Sequence, residues 1–167
     1  QKGDFDYTTE LADEIDRQNA MLTHWIKLRK GIIQPKIETF PLQNILDIIN
    51  KNSAILSKQK IVLSIQRTTL DVKADPILTL FTINTLIDNA RKAITGDGTI
   101  TVSCIGHDDK KYAEISVSDT GRGMSNDQLE HLFEYKNVQN SSDSSSHGFG
   151  LVNCRGIIER YRKISSI

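Results

Sequence analysis

The 167-residue sequence has no excess of either charge, with Lys plus Arg and Asp plus Glu at 21 each. Nothing in that balance favours nucleic acid as a partner, and any anion must be held by a local arrangement of groups. Cysteine is also scarce. Cys104 and Cys154 fall on apolar positions of a predicted strand and a predicted helix, with no CxxC or Cys/His spacing. They read as reduced core residues, which fits a cytoplasmic location. No apolar run approaches the ~18 residues of a membrane span, so no membrane contact is expected, and the opening QKGDFDYTTE lacks signal-peptide character. The phosphate-loop pattern GxxxxGK[ST] does not occur. What is present is a length suited to about one domain with a core of its own.

Residues 8 to 30 carry Leu11, Ile15, Leu22 and Trp25 or Ile26 at steps of three and four, and close on Arg29-Lys30-Gly31. This predicts a long helix with a narrow apolar seam, suited to a helical dimer or bundle. Residues 32 to 40 read as a short connection, and Pro41 fits the first position of a helix reaching about Ser57, with Leu42, Ile45, Leu46, Ile49 and Leu56 inward. Alternation at Ile61, Leu63 and Ile65, and again at Leu70, Val72 and Ala74, predicts two strands. Asp75 as N-cap and Pro76 at N1 begin a helix to about Ile94. Strands at Thr99–Ile105 and 111–117 follow, joined by a turn at 107–110. Ser125 and Gln128 form a capping-box pattern for a short helix ending near Phe133. The serine-rich stretch NSSDSSSH, residues 140–147, has almost nothing to bury and is expected to be mobile without a ligand. A last helix begins near Gly150 and carries Leu151, Cys154, Ile157, Ile158 and Tyr161. This order is neither an alternating βαβ series nor a sandwich. It predicts an α+β fold, a two-layer arrangement of a mixed sheet with helices on one face, preceded by the long N-terminal helix.

Three places carry polar or glycine-rich features. Thr85, Asn89 and Lys92 lie four and three residues apart on one helix face. Any surface helix has a polar face, but Asn is a poor interior helix residue and Asn89 stands beside apolar Ile87 and Ala90. Asp119 is followed by Gly121 and Gly123 in SDTGRGMS, a turn by the bland reading and a ligand-touching loop by the sharper one. His147-Gly148-Phe149-Gly150-Leu151 sets two glycines at the start of a helix, where backbone N–H groups can meet an anion.

In this order the segments NTLIDNARKAI, DTGRGM, HLFE and HGFGL resemble the N, G1, F and G2 boxes of the ATP-binding domain of sensor histidine kinases, members of the Bergerat-fold ATPase superfamily. Asp75-Pro76 is similar to the pair that opens the N-box helix in that family, and the resemblance runs from about Phe40 to Tyr161. It implies ATP and Mg²⁺ as cofactors. Asp119 would accept a hydrogen bond from the adenine amine, with Gly121 and Gly123 letting the base lie against the loop. Asn89 would offer its side-chain oxygen to Mg²⁺, and Lys92 would pair with a phosphate. Residues 134–147 would form a lid, and His147, Gly148, Gly150 and Leu151 would border the phosphates. The resemblance also implies a division of the chain: 1–31 as part of a dimerisation hairpin, 32–41 as linker, and 42–167 as the ATP-binding domain. The partners implied are a second copy of the protein, through that hairpin, and a response regulator.

Departures from the family pattern bear on the activity. Thr85 stands where the family often has a second Asn and where ATP-hydrolysing relatives have a Glu base, which favours transfer to a protein acceptor over hydrolysis. Tyr135-Lys136 replaces a common Pro-Phe. His24 is followed by Trp25 rather than an acid and lies too near Gly31 to leave room for a second hairpin helix. It reads as a surface or seam residue, and the phosphoacceptor histidine is expected outside these residues. His107 and His131 read as solvated. The chain ends at Ser166-Ile167, where the family continues into further strands, so the sheet is expected to be one or two strands short. An upstream membrane anchor is left open by the sequence, as are two other functions: a pseudokinase serving as a binding and dimerisation module, and a serine kinase of the anti-sigma-factor type.

Overall fold

The computed structural model describes residues 2–109, 111–133 and 149–165. The elements in chain order are α1 (Lys2–Arg29), β1 (Glu38–Pro41), α2 (Leu42–Lys51), α3 (Ala54–Lys58), β2 (Ile61–Ile65), β3 (Asp71–Ala74), α4 (Pro76–Ala93), β4 (Gly98–His107), β5 (Tyr112–Asp119), α5 (Asn126–Glu130) and α6 (Phe149–Ser165). The mixed sheet is present: β2 runs parallel to β4, and β4 pairs antiparallel with β5. A separate antiparallel pair joins β1 to β3. The sheet's inward residues Ile61, Ile100 and Val102 are buried, while Val62 and Thr101 on the other face are exposed. One face is therefore covered by helices, and the core is formed with Leu42, Ile45, Leu46 and Ile49 of α2 and Ile83, Ile87 and Ala90 of α4.

Several local expectations hold for the physical reasons given. Asp75 caps α4, its Oδ1 accepting from the N–H groups of Ile77 and Leu78, with Pro76 in the first turn where its missing N–H costs nothing. Ser125 and Gln128 close the capping box of α5 reciprocally. Others are corrected. Residues 38–40, expected as connection, form β1 together with Pro41, because their partner Asp71–Ala74 lies some thirty residues away and local pattern cannot see it. Pro41 sits at the N-cap rather than inside the helix, with φ −63° and ψ 120°, because it still belongs to β1. The helix expected to run to Ser57 breaks at Asn52-Ser53 into α2 and α3, where Ser53 Oγ donates back to Asn50 O at 2.6 Å.

In α1 the apolar positions divide between two faces. Trp25 and Leu28 are buried against Leu78 and Phe81 of α4 and Ile157 of α6, whereas Ile15, Leu22 and Ile26 are exposed. The side chain of Leu11, expected in the same seam, is outside the described ones. His24 is not simply at the surface: its Nε2 is buried and lies 3.9 Å from Asp75 Oδ2. Nor is His107 free in solvent, since it pairs with Glu114 at 3.2 Å and stacks on Tyr112 with ring centroids 4.7 Å apart.

Candidate functional site

Helix α4 forms the floor of the site. Its residues Thr85, Asn89 and Ala93 follow one another at steps of four, so they make a single stripe about 12 Å long at 1.5 Å per residue. Two glycine-bearing segments close onto the ends of this stripe. At one end Gly150, in the first turn of α6, stands so close that a Cβ there would lie 2.9 Å from Thr85 Cγ2. At the other end the loop after β5 folds over the helix terminus. A Cβ on Gly121 would lie 2.6 Å from Ala93 O, and Arg122 N donates to that same carbonyl at 3.0 Å. The loop turns back at Gly123, whose φ of +68° is strained for any residue with a side chain.

Asn89 lies midway between these two contacts. Its Nδ2 is buried and has no hydrogen-bond partner. A buried amide donor left unpaired costs about 1–3 kcal/mol, so this side chain is out of place in a purely structural helix and fits one whose partner is a ligand. Asp119, at the end of β5, is exposed, and its Oδ1 accepts from Gly121 N at 2.8 Å. This bond sets the carboxylate's orientation. Thr120 fixes the strand end beside it, its N donating to Thr99 O at 3.1 Å and its Oγ1 accepting from Thr99 N at 3.0 Å.

Lys92 does not point along the Thr85–Asn89–Ala93 stripe. Its Nζ lies 2.7 Å from Asp88 Oδ2, while Arg91 holds Oδ1 of the same carboxylate at 2.7 Å. Burial alone raises the Asp88 carboxyl, but the hydrogen bonds and charges of Lys92 and Arg91 outweigh it and hold the group below its usual value. A depression of about 460 Å³ lies on that flank, lined by Gln59, Ile61, Arg91, Lys92, Ile94 and Gly96. Its two cations are already engaged with Asp88 and Gln59, so it has far less free chemistry than the stripe.

Thr85 Oγ1 donates to Phe81 O at 2.8 Å, which turns the methyl toward Gly150. The site thus has no general base at that position. Leu151 is half-buried in the first turn of α6, and Gly150 is in place beside α4; His147, Gly148 and the expected lid, 134–147, lie outside the described residues. Among the described residues no group of three His, Cys, Asp or Glu could hold a metal. A cation here would be carried by phosphate oxygens, and the Asn89 carboxamide fits that case because Mg²⁺ needs only one or two protein oxygens beside a nucleotide. What sequence reasoning missed is the closing partner of each glycine, Thr85 Cγ2 and Ala93 O; the only signal available was the four-residue spacing of 85, 89 and 93.

Residues 74–166 match the family of histidine kinase-, DNA gyrase B-, and HSP90-like ATPases, and the chain belongs to that family. ATP is the nucleotide that this membership implies. Its relatives include sensor kinases. The adaptive-response sensory kinase SasA of Synechococcus elongatus is 38% identical over 90 residues, which is 53% of this chain and 23% of that protein. SasA of Crocosphaera subtropica is 31% identical over 115 residues, 67% of this chain and 30% of that one. The sensor histidine kinase ZraS of Salmonella typhi is 29% identical over 157 residues, 90% of this chain and 32% of that one. The aligned stretches thus span about a quarter to a third of these relatives' length. Among solved structures, Acinetobacter baumannii histidine kinase AdeS superposes with a TM-score of 0.64 at 18% identity, covering 92% of this chain and 71% of that one. The catalytic domain of histidine kinase ThkA gives 0.60 at 22% identity, covering 75% and 81%. These two likenesses show the fold: the chain has that of the ATP-binding catalytic domain of sensor histidine kinases.

Proposed function

We propose that the chain binds ATP with Mg²⁺ over the Thr85–Asn89–Ala93 stripe and presents the γ-phosphoryl group to a histidine outside residues 1–167. In the whole protein this is the autophosphorylation step of a sensor histidine kinase, with a response regulator as the next acceptor. The observation that carries the reading is the buried, partnerless Asn89 amide between two segments that close onto α4 through glycines.

The residues divide the work by chemistry. Asp119 has one oxygen held by Gly121 N, which leaves the other to accept from the adenine amine, and Gly121 and Gly123 keep that loop low enough for a base to lie on it. Asn89 offers its carboxamide oxygen to the metal, while its unpaired Nδ2 donates to a phosphate oxygen. The cation, when bound, neutralises charge on the phosphates during transfer. Lys92 contributes to the phosphates by exchanging Asp88 for them. Gly150 and Leu151 bring N-terminal amides of α6 to the same oxygens, and His147 and Gly148, outside the described residues, are proposed to border them. Thr85 activates no water, because its hydroxyl is spent on Phe81 O. Transfer to a positioned imidazole is therefore favoured over hydrolysis. His24, with its Nε2 buried beside Asp75, is not the acceptor.

The domain reading belongs to the same proposal. Residues 1–31 are the end of a dimerisation helix, 32–41 a linker and 42–167 the ATP-binding domain. The exposed stripe Ile15, Leu22 and Ile26 supports it, because that face of α1 is not packed against any other of the described residues. Titration calorimetry with ATP, with and without Mg²⁺, tests the site. Binding should weaken in Asp119→Ala and Asn89→Ala, and its dependence on the metal should be lost only in Asn89→Ala. A folded wild type that gives no heat would sink the reading and leave a binding module with a vestigial pocket.

A further inference from the structure

Trp25 lies outside the segment that matches the family, yet its indole seats the helix that borders the cleft. It is 3% exposed and packs with Leu28, Leu78, Phe81 and Ile157. Opposite it α6 has Gly156, where a Cβ would stand 3.2 Å from Trp25 Cζ2 and 3.4 Å from Cη2. One turn further on, Arg160 Nη1 donates to Leu28 O at 3.0 Å, and Tyr161 OH donates to Asp75 O at 3.1 Å. Helix α6 lies on α4 along its buried face, with Cys154 Sγ against Thr82 O and Ile157 against Leu78 and Phe81, and its contacts run from the cleft to α1. Gly150 rests on Thr85 beside Asn89, and Gly156 with Arg160 rests on the end of α1, about 9 Å further along at 1.5 Å per residue. A helix of this length moves largely as a unit, so a shift at one end of these contacts is felt at the other. The indole Nε1 has no hydrogen-bond partner, so packing alone holds it against α6 and no hydrogen bond at the indole resists its release.

We propose that Trp25 is a positioning residue for the nucleotide site, acting through α6: the docked end of α1 sets the place of Gly150, and ATP and the docking of α1 favour one another. The inference rests on the reading of the cleft as an ATP site. Linkage makes the coupling reciprocal, so nucleotide binding must be felt at Trp25, and a disturbance at Trp25 must be felt by the nucleotide.

Trp25 is the only tryptophan in the sequence, so the protein carries its own reporter. ATP with Mg²⁺ is titrated into the whole chain while indole emission and binding heat are followed together. Emission should change along the same isotherm as the heat. Gly156→Ala, which crowds the indole without emptying the core, should weaken ATP binding by about five-fold, the lower range of such couplings. Ile26→Ala, on the exposed face of the same helix turn, should leave affinity unchanged. Measurable heat with a silent indole would overturn the proposal, and so would a Gly156→Ala affinity within about two-fold of wild type, below the usual range of coupling. No heat at all from folded protein would remove the ATP site and the coupling with it, a failure distinct from a silent indole.

Discussion

At the scale of single residues, Asp75 carries more than its helix cap. Oδ1 accepts from Ile77 and Leu78, Oδ2 accepts from Lys36 N at 2.8 Å, and the backbone carbonyl takes Thr79 and Tyr161. Asp75→Ala removes a cap worth about 1 kcal/mol and leaves the Lys36 N–H without its acceptor at about 1–2 kcal/mol. A loss of about 2–3 kcal/mol in denaturant unfolding is expected, with Asp75→Asn falling short of it. Burial pushes the neighbouring Tyr161 phenol up to about 12 from its ordinary 10, the nearby Asp75 charge acting in the same direction. The neutral phenol is thus favoured in the fold. The associated stability is complete below pH 10 and is lost as pH rises toward 12. In Tyr161→Phe the alkaline fall in thermal midpoint should flatten over that window. Burial likewise pushes the Cys154 thiol up to about 11. Since the thiolate is the reactive form, alkylation of Cys154 in the folded protein at neutral pH should be far slower than in denaturant.

At the scale of elements, the α4–α6 contact beside the cleft is a methyl against a glycine. Gly150→Ala forces a shift, since its Cβ would meet Thr85 Cγ2 at 2.9 Å. Overpacking of this kind costs about 1–3 kcal/mol, and if it falls on the binding-competent position of α6, ATP affinity drops about ten-fold. Thr85→Ser deletes the methyl and keeps the hydroxyl that bonds Phe81 O, so the double variant should recover most of that affinity in calorimetry. Gly121→Ala meets backbone instead, the Ala93 carbonyl at 2.6 Å, and no side-chain truncation can relieve it. The glycines of both segments were legible in the sequence as sites of close approach. Their partners were not, because they depend on where two distant stretches of chain cross one helix.

At the scale of the whole molecule, α1 faces two ways. Trp25 and Leu28 belong to the core of the ATP-binding body, and Ile15, Leu22 and Ile26 form an apolar line that is exposed among the described residues. A seam with steps of seven and four is what a paired helix presents. Concentration-dependent self-association is expected in sedimentation, and Leu22→Lys should abolish it with no change in thermal midpoint, since Leu22 is 39% exposed and lies outside both core clusters.

Local chemistry was decided by the sequence alone. The cap at Asp75-Pro76, the box at Ser125 and Gln128, the strand alternations and the family of the 74–166 segment all follow from residues close together in the chain. Tertiary structure decided what local pattern cannot carry: that residues 38–41 become a strand, that Trp25 rather than Ile26 turns inward, and that Lys92 is held by Asp88. It also set Asn89, with its unpaired amide, between the contacts of Gly121 and Gly150. The physical reason is the same in each case. The free energy of these arrangements lies in contacts between groups distant in sequence, and those contacts exist only once α4 has brought the glycine loop, α6 and the end of α1 onto its surface.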